Sequence, residues 1–223
     1  MRLTPEDHDK VTAAVTAAEL HTSGEIVTVV ARASDAYHDV GLHWAVAAML
    51  LSLAALAAFP APIEHLHALH AGPWAEHPST GMTIAIATII AAVVFLVARY
   101  VLAIRPLRMA LTPSATKTRR VRRRALDLFR TGAEKRTAGA TGVLLYLSLD
   151  EHRAELIAEA AIHRRVSADI WGHAMAVLIG AVKDGRPADG MAAAVGEIGV
   201  VLAEHFPRAD DDVNELPDRL IEL

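Results

Sequence analysis

The chain contains no cysteine. That excludes disulfides, thiolate metal sites and a cysteine nucleophile. Aromatic residues are scarce at 4%, and none interrupts the densest basic run, Arg119 to Arg124. Base-stacking platforms are therefore missing where nucleic acid would need them, and no nucleic-acid partner is expected. Lysine is nearly absent, 4 against 18 arginines, which reads as a genome bias and fits a bacterial source. The first residues, Met1-Arg2-Leu3-Thr4-Pro5-Glu6-Asp7, lack the apolar core of a secretory signal, so no cleavage is expected. Between Pro60 and Gly81 there is neither lysine nor arginine.

That stretch without basic residues separates two long apolar segments, Leu42 to Phe59 and Met82 to Ile104. At about 1.5 Å per residue, each approaches the length that crosses a hydrocarbon core of about 30 Å. The reading is a transmembrane hairpin over residues 42–104, with an outer loop over 60–81. Residues 1–41 and 105–223 then form one α/β domain on a single side. Of the 22 basic residues, 11 fall between Arg105 and Arg136. The positive-inside rule therefore puts both termini in the cytoplasm and the chain in a bacterial inner membrane as a two-span protein. Trp44, Trp74 and Tyr100 stand where interfacial aromatics are expected, and Arg99 is placed to snorkel. Small residues such as Ala47, Ala48, Ser52, Ala54, Ala55, Ala85 and Ala91 permit close helix contact, within the hairpin or in a homo-oligomer.

Outside the hairpin the periodicities alternate between helix and strand. Thr4-Pro5-Glu6-Asp7 has the form of a helix start, and Val11, Val15 and Ala18 share one face of a helix from Pro5 to about His21. The β-branched run Ile26 to Ala31 predicts a strand buried on both faces, and Ser34 to Asp39 a polar turn. After the hairpin, a helix is expected from about Thr116. Its inner face is Val121, Ala125, Leu128, Phe129 and Gly132. Val143 to Leu149 and Arg153 to Ile162 read as two strands of a hairpin turning at Asp150-Glu151-His152. Two helices follow, one carrying Val166, Ile170, Ala174, Val177, Leu178 and Ala181, the other Met191, Val195, Ile198, Leu202 and Phe206. Asp184-Gly185-Arg186-Pro187 stops the first and starts the second. Whether the acidic tail adds a strand is undecided by its pattern.

Ser23-Gly24-Glu25-Ile26-Val27, Thr141 to Ser148, Glu155-Leu156-Ile157-Ala158, Gly199 through His205-Phe206-Pro207 and the closing Asn214-Glu215-Leu216-Pro217 together resemble the TPM-domain family, in particular its bacterial membrane-protein branch. The resemblance implies a small α/β/α sandwich, here with the hairpin inserted between its first and second strands. Some members of that family are linked to acid phosphatase activity, photosystem repair or receptor assembly. Relatives carry a glycine-rich turn after the third strand, whereas this chain has Glu159-Ala160-Ala161-Ile162.

Several constellations bear on function. Arg119, Arg120, Arg122, Arg123 and Arg124 follow the second span closely, and such clusters attract anionic headgroups by about 1 kcal/mol per residue. His65, His67 and His70, with His77, Glu64 and Glu76 nearby, offer zinc, copper or nickel ligands, although on a helix only His67 and His70 share a face. Asp184 and Asp189, with Asp210-Asp211-Asp212, offer oxygens to calcium or magnesium. Asp169 and His173 stand four apart, and His163-Arg164-Arg165 form a candidate anion site near a helix start. No nucleophile with its base, no paired carboxylates and no phosphate-cradling glycine loop occurs at diagnostic spacing. The expectation is a membrane-anchored domain that binds a membrane or cytoplasmic protein partner without chemistry of its own, in membrane-protein maintenance. The alternatives are a metal-dependent phosphatase, implied by the resemblance alone, and a periplasmic metal sensor built on the loop histidines.

Overall fold

A computed structural model describes residues 3–72, 76–132, 141–209 and 214–223. Trp74 and the run Asp210-Asp211-Asp212 lie outside the described residues. The chain divides into two compact units, Met1–Asp35 with Ser114–Leu223, and Ala36–Pro113.

In the first unit, α1 (Pro5–Glu19) begins with a capping box: the Thr4 hydroxyl accepts from the Asp7 N–H, and the Asp7 carboxylate accepts from the Thr4 N–H. β1 (Glu25–Ala31) is buried along its whole length. It pairs in parallel with β2 (Gly142–Ser148), in register Glu25 with Gly142 through Ala31 with Ser148. β2 turns back into the antiparallel β3 (Arg153–Ala158). The tail does add a strand, β4 (Ile221–Glu222), parallel to β1, giving the order β3-β2-β1-β4.

Alternation along the strands sorts their side chains into two cores. Ile26, Val30, Val143, Leu145 and Leu147 face α1, α8 (Gly172–Lys183) and α9 (Pro187–His205), meeting Val11, Val15, Leu178, Met191, Ile198 and Leu202. Val27, Val29, Leu144 and Tyr146 face α6 (Ser114–Gly132) through Val121, Ala125 and Phe129. Helices thus cover both faces of a four-stranded mixed sheet, and each fully buried large aliphatic side chain stabilises the domain by about 1.5–3 kcal/mol.

The structure corrects the sequence reading at three places in this unit. β3 stops at Ala158, and residues expected to continue it form α7 (Ala160–Arg165). The break comes where β2 itself begins: Glu159 pairs its N–H with the Gly142 carbonyl, and its carboxylate accepts the Gly142 N–H at 2.8 Å. The next helix begins with a 3-10 turn, Ala168–Trp171, so Asp169 and His173 do not share one α-helical face. Finally, α6 starts at Ser114 rather than near Thr116.

The second unit contains α2 (His38–Ala58) and α4 (Thr80–Val101), packed together. Both are long and apolar enough to cross a membrane. The segment between them is not a plain loop: Pro60 and the following Ala61-Pro62 start α3 (Ala61–Ala71), proline suiting a first helical turn. Residues 36–41 and 105–113 pack with this unit. Tyr37, Val40 and Met109 form one small core, α5 (Arg105–Ala110) follows α4, and the Arg108 guanidinium donates to the Leu102 carbonyl at 3.0 Å.

Candidate functional site

In open α/β sheets the ligand-bearing crevice lies beyond the carboxyl ends of parallel strands. At that end of β1 and β2 sits a buried polar network. The Ser34 N–H donates to Glu151 Oε1 at 2.8 Å, and the Ser34 hydroxyl lies 3.0 Å from both the Tyr146 and the Ser148 hydroxyls. Ser148 in turn donates to Glu151 Oε2. Tyr146 and Ser148 are fully buried, and Glu151 nearly so. Burial pushes the Tyr146 phenol up, against hydrogen bonds from Ser34 and Ser148 that pull it down. These groups satisfy one another. The network fastens the segment leaving β1 to the turn between β2 and β3, where Asp150 and Leu149 also donate N–H groups to the Arg32 and Ala31 carbonyls.

The basic helix α6 borders this end. Arg120 bridges to Asp35 at 2.7 Å. Arg119, Arg122, Arg123 and Arg124 are exposed and form no ion pair among the described residues. Val121, Ala125 and Phe129 hold the opposite face of the helix in the core, which obliges the arginines to face solvent. Glu155 on β3 is half-buried, and burial raises its carboxyl above the usual range although Arg122 and Arg153 oppose this.

A second cluster, at the amino end of β1, was not signalled by any spacing in the sequence. Glu19 Oε1 accepts the Ile26 N–H at 2.7 Å. Glu25, almost fully buried, accepts the N–H groups of Glu215 and Leu216 and so ties the closing segment to the sheet. Asp218 accepts from the Thr16 hydroxyl and the Asn214 amide, both at 2.6 Å. Burial, with the nearby Glu25 and Asp218 charges adding to it, pushes Glu19 up to about 8 against the pull of the Ile26 hydrogen bond. Burial also pushes Asp218 up, but its hydrogen bonds outweigh that and leave it lowered. The residues come from α1, β1 and the tail. The one legible hint was an acid, Glu25, heading an otherwise apolar buried strand.

The sequence-predicted metal ligands lie apart. His65, His67 and His70 are all on α3, where His67 and His70 line a groove of about 490 Å³ with Met82, Ile86, Ile89 and Ile90 of α4. His70 Nδ1 is 3.0 Å from the Leu66 carbonyl in the preceding turn. Asp184 and Asp189 flank the Gly185 turn and are engaged by arginine: Arg186 donates to both, at 3.3 and 3.4 Å. Lys10 also donates to Asp189 at 2.6 Å, and this bond lowers the Asp189 carboxyl and raises the Lys10 ammonium. Among the described residues no group of three or more histidine, aspartate and glutamate side chains is gathered as a metal would require. His163, Arg164 and Arg165 occupy the last turn of α7, not the start of a helix.

Neither a protein-family model nor a curated protein sequence matches this chain. Among solved structures, it is similar to the NMR structure of the BA42 protein from the psychrophilic bacterium Bizionia argentinensis, at 17% identity and a TM-score of 0.57. The match covers 100% of this chain and 97% of that one. At that identity the likeness is one of fold, a TPM-domain-like α/β fold.

Proposed function

We propose that this chain is a bacterial inner-membrane protein of the TPM-domain membrane branch. Its α2–α4 hairpin spans the bilayer, and its cytoplasmic domain rests α6 on anionic headgroups while binding a protein partner, without chemistry of its own. The observation that carries this reading is the outer face of α6, where Arg119, Arg122, Arg123 and Arg124 are exposed and unpaired among the described residues, in a helix that starts shortly after α4 ends. Four such charges within reach of a negative leaflet contribute about 1 kcal/mol each.

The spanning role is supported by the exposure of apolar side chains on the two long helices. Leu51 is 70% exposed, and Ile84 and Ile89 are each 62% exposed. A core helix of a water-soluble domain hides such residues, whereas lipid solvates them. Trp44 suits an interfacial position, with its indole N–H donating to the Leu111 carbonyl at 3.2 Å.

The test is orientation on the membrane. The full chain is reconstituted in nanodiscs of phosphatidylcholine with or without phosphatidylglycerol, and a fluorophore placed on α6 reports its depth. Phosphatidylglycerol is expected to draw α6 toward the surface, salt to reverse this, and replacement of Arg119, Arg122, Arg123 and Arg124 by glutamine to abolish it. Identical fluorophore depth with and without phosphatidylglycerol would overturn the headgroup reading. Recovery of one stoichiometric protein from cells in mild detergent tests the partner-binding role.

A further inference from the structure

At the amino end of the sheet, Thr141, Ala161, Arg164, Arg165 and Phe206 line an open cavity of about 490 Å³. It contains neither the α6 arginines nor the polar network at the carboxyl end of β1 and β2. Ligand cavities commonly measure about 300–1,000 Å³.

Its two guanidinium groups are held differently. Arg165 is fixed from two sides, donating through Nη1 to the His205 carbonyl at 3.1 Å while its guanidinium lies 4.9 Å from the centre of the Phe206 ring. That contact also serves the end of α9, where unpaired carbonyls attract a cation. Such a role accounts for Arg165 and leaves Arg164 unexplained. Arg164 donates only through Nε, to the Ala160 carbonyl at 3.2 Å, and its two terminal nitrogens have no partner among the described residues. A guanidinium without a carboxylate at the mouth of a cavity is a fork awaiting an oxyanion. The nearest acid on the same turn, Glu159, is 5% exposed, is not among the lining residues and accepts the Gly142 N–H. The Thr141 hydroxyl hydrogen is likewise committed, to the Ser23 carbonyl at 2.9 Å. What the cavity offers is therefore two positive forks over an apolar floor of Ala161 and Phe206.

We propose that this cavity binds the phosphate of a small phosphorylated compound, with Arg164 and Arg165 gripping the phosphate oxygens and the organic part resting on Ala161 and Phe206. A phosphate presents several oxygens to two forks at once, where a carboxylate fills only one. The group can belong to a soluble phosphate ester or to a lipid headgroup, since the chemistry recognised is the same.

Pyrophosphate is the probe, added to the full chain in neutral maltoside micelles and followed by calorimetry and thermal unfolding, with sodium chloride at matched ionic strength as the control. Binding that raises the unfolding temperature is expected. Arg164→Gln should weaken it by about tenfold or more while leaving the ligand-free unfolding temperature unchanged, since Arg164 bonds only its own short helix. Glutamine at Arg119, Arg122, Arg123 and Arg124 should leave pyrophosphate affinity as it is. Repeating the titration in nanodiscs identifies the source. Competition by phosphatidylglycerol that vanishes in Arg164→Gln assigns a lipid phosphate, and equal binding with or without that lipid assigns a soluble ester. No pyrophosphate binding by the unaltered chain, or undiminished binding by Arg164→Gln, overturns the proposal.

Discussion

Gly199 of α9 lies so close to Ala18 of α1 that a methyl group added to the glycine would stand 2.6 Å from the alanine Cβ. Neither partner has a flexible end that can swing aside. Gly199→Ala must therefore push the two helices apart, and overpacking of this kind costs about 1–3 kcal/mol. Thermal unfolding in detergent should show a clear fall in midpoint, and Ala18→Gly in the same chain should recover part of it. An unchanged midpoint for Gly199→Ala would mean that the helices do not meet there.

The Glu19 carboxyl gives the stability of the domain a pH dependence with a definite sign. Its ordinary value of 4.5 rises to about 8 in the fold, chiefly through burial. The folded state therefore prefers the protonated form, and folding takes up a proton between those two values. Stability from this group is complete at pH 4.5 and below and is lost as pH rises toward 8. Glu19→Gln keeps an oxygen for the Ile26 N–H and removes the titration. The variant should unfold at a higher temperature than the parent at pH 8 and lose that advantage at pH 5. A parent whose midpoint does not fall between pH 5 and 8, relative to the variant, would contradict the assignment.

Glu151 accepts from both the Ser34 N–H and the Ser148 hydroxyl, so Glu151→Ala leaves two buried donors to find new partners. A buried group left unsatisfied costs about 1–3 kcal/mol. Tyr146→Phe removes a single hydroxyl whose neighbour Ser34 keeps Ser148, and should cost about 1 kcal/mol or less. Hydrogen exchange will separate a local from a global effect: residues 32–35 should lose protection in Glu151→Ala well before β2 does.

The cysteine-free background permits a direct reading of topology. A thiol introduced by Ala71→Cys should react with a membrane-impermeant maleimide in intact cells, and one introduced by Ala209→Cys should react only after lysis. Both alanines are exposed, so accessibility within the protein does not bias the comparison. The reverse pattern would place the domain outside.

Local pattern carried much of this architecture, and its failures are physical. Ile26 to Ala31 announced a strand covered on both sides, and β1 is that strand, paired with β2 in the parallel sense across the hairpin. The end of β3 was invisible because Ala154, Leu156, Ala158 and Ala160 continue one alternation. The chain leaves the sheet at Glu159, opposite the first residue of β2, Gly142, whose N–H takes the Glu159 carboxylate, a pairing distant in sequence. β4 has two residues and is defined by its pairing with Val29 and Val30, which no local pattern encodes. α3 was missed because the segment between the two apolar runs was read as a loop, although proline at the start of a helix is well placed. Of the candidate sites, the arginines of α6 were legible because they cluster within six residues. The acids around Glu19 and the cavity walled by Thr141, Arg164 and Phe206 were not, since each gathers residues from separate elements.

β1 receives a neighbour on each edge from chain made long after it: β2 along its full length, and Ile221 with Glu222 on the other side. During translation this strand leaves the ribosome before the apolar hairpin and before either neighbour. Its edges must be kept from sticking to other exposed strand edges until β2 and β4 emerge. Sheet closure thus waits for the last residues described, and removing Ile221 to Leu223 would leave one side of β1 uncovered at the moment the domain is otherwise finished.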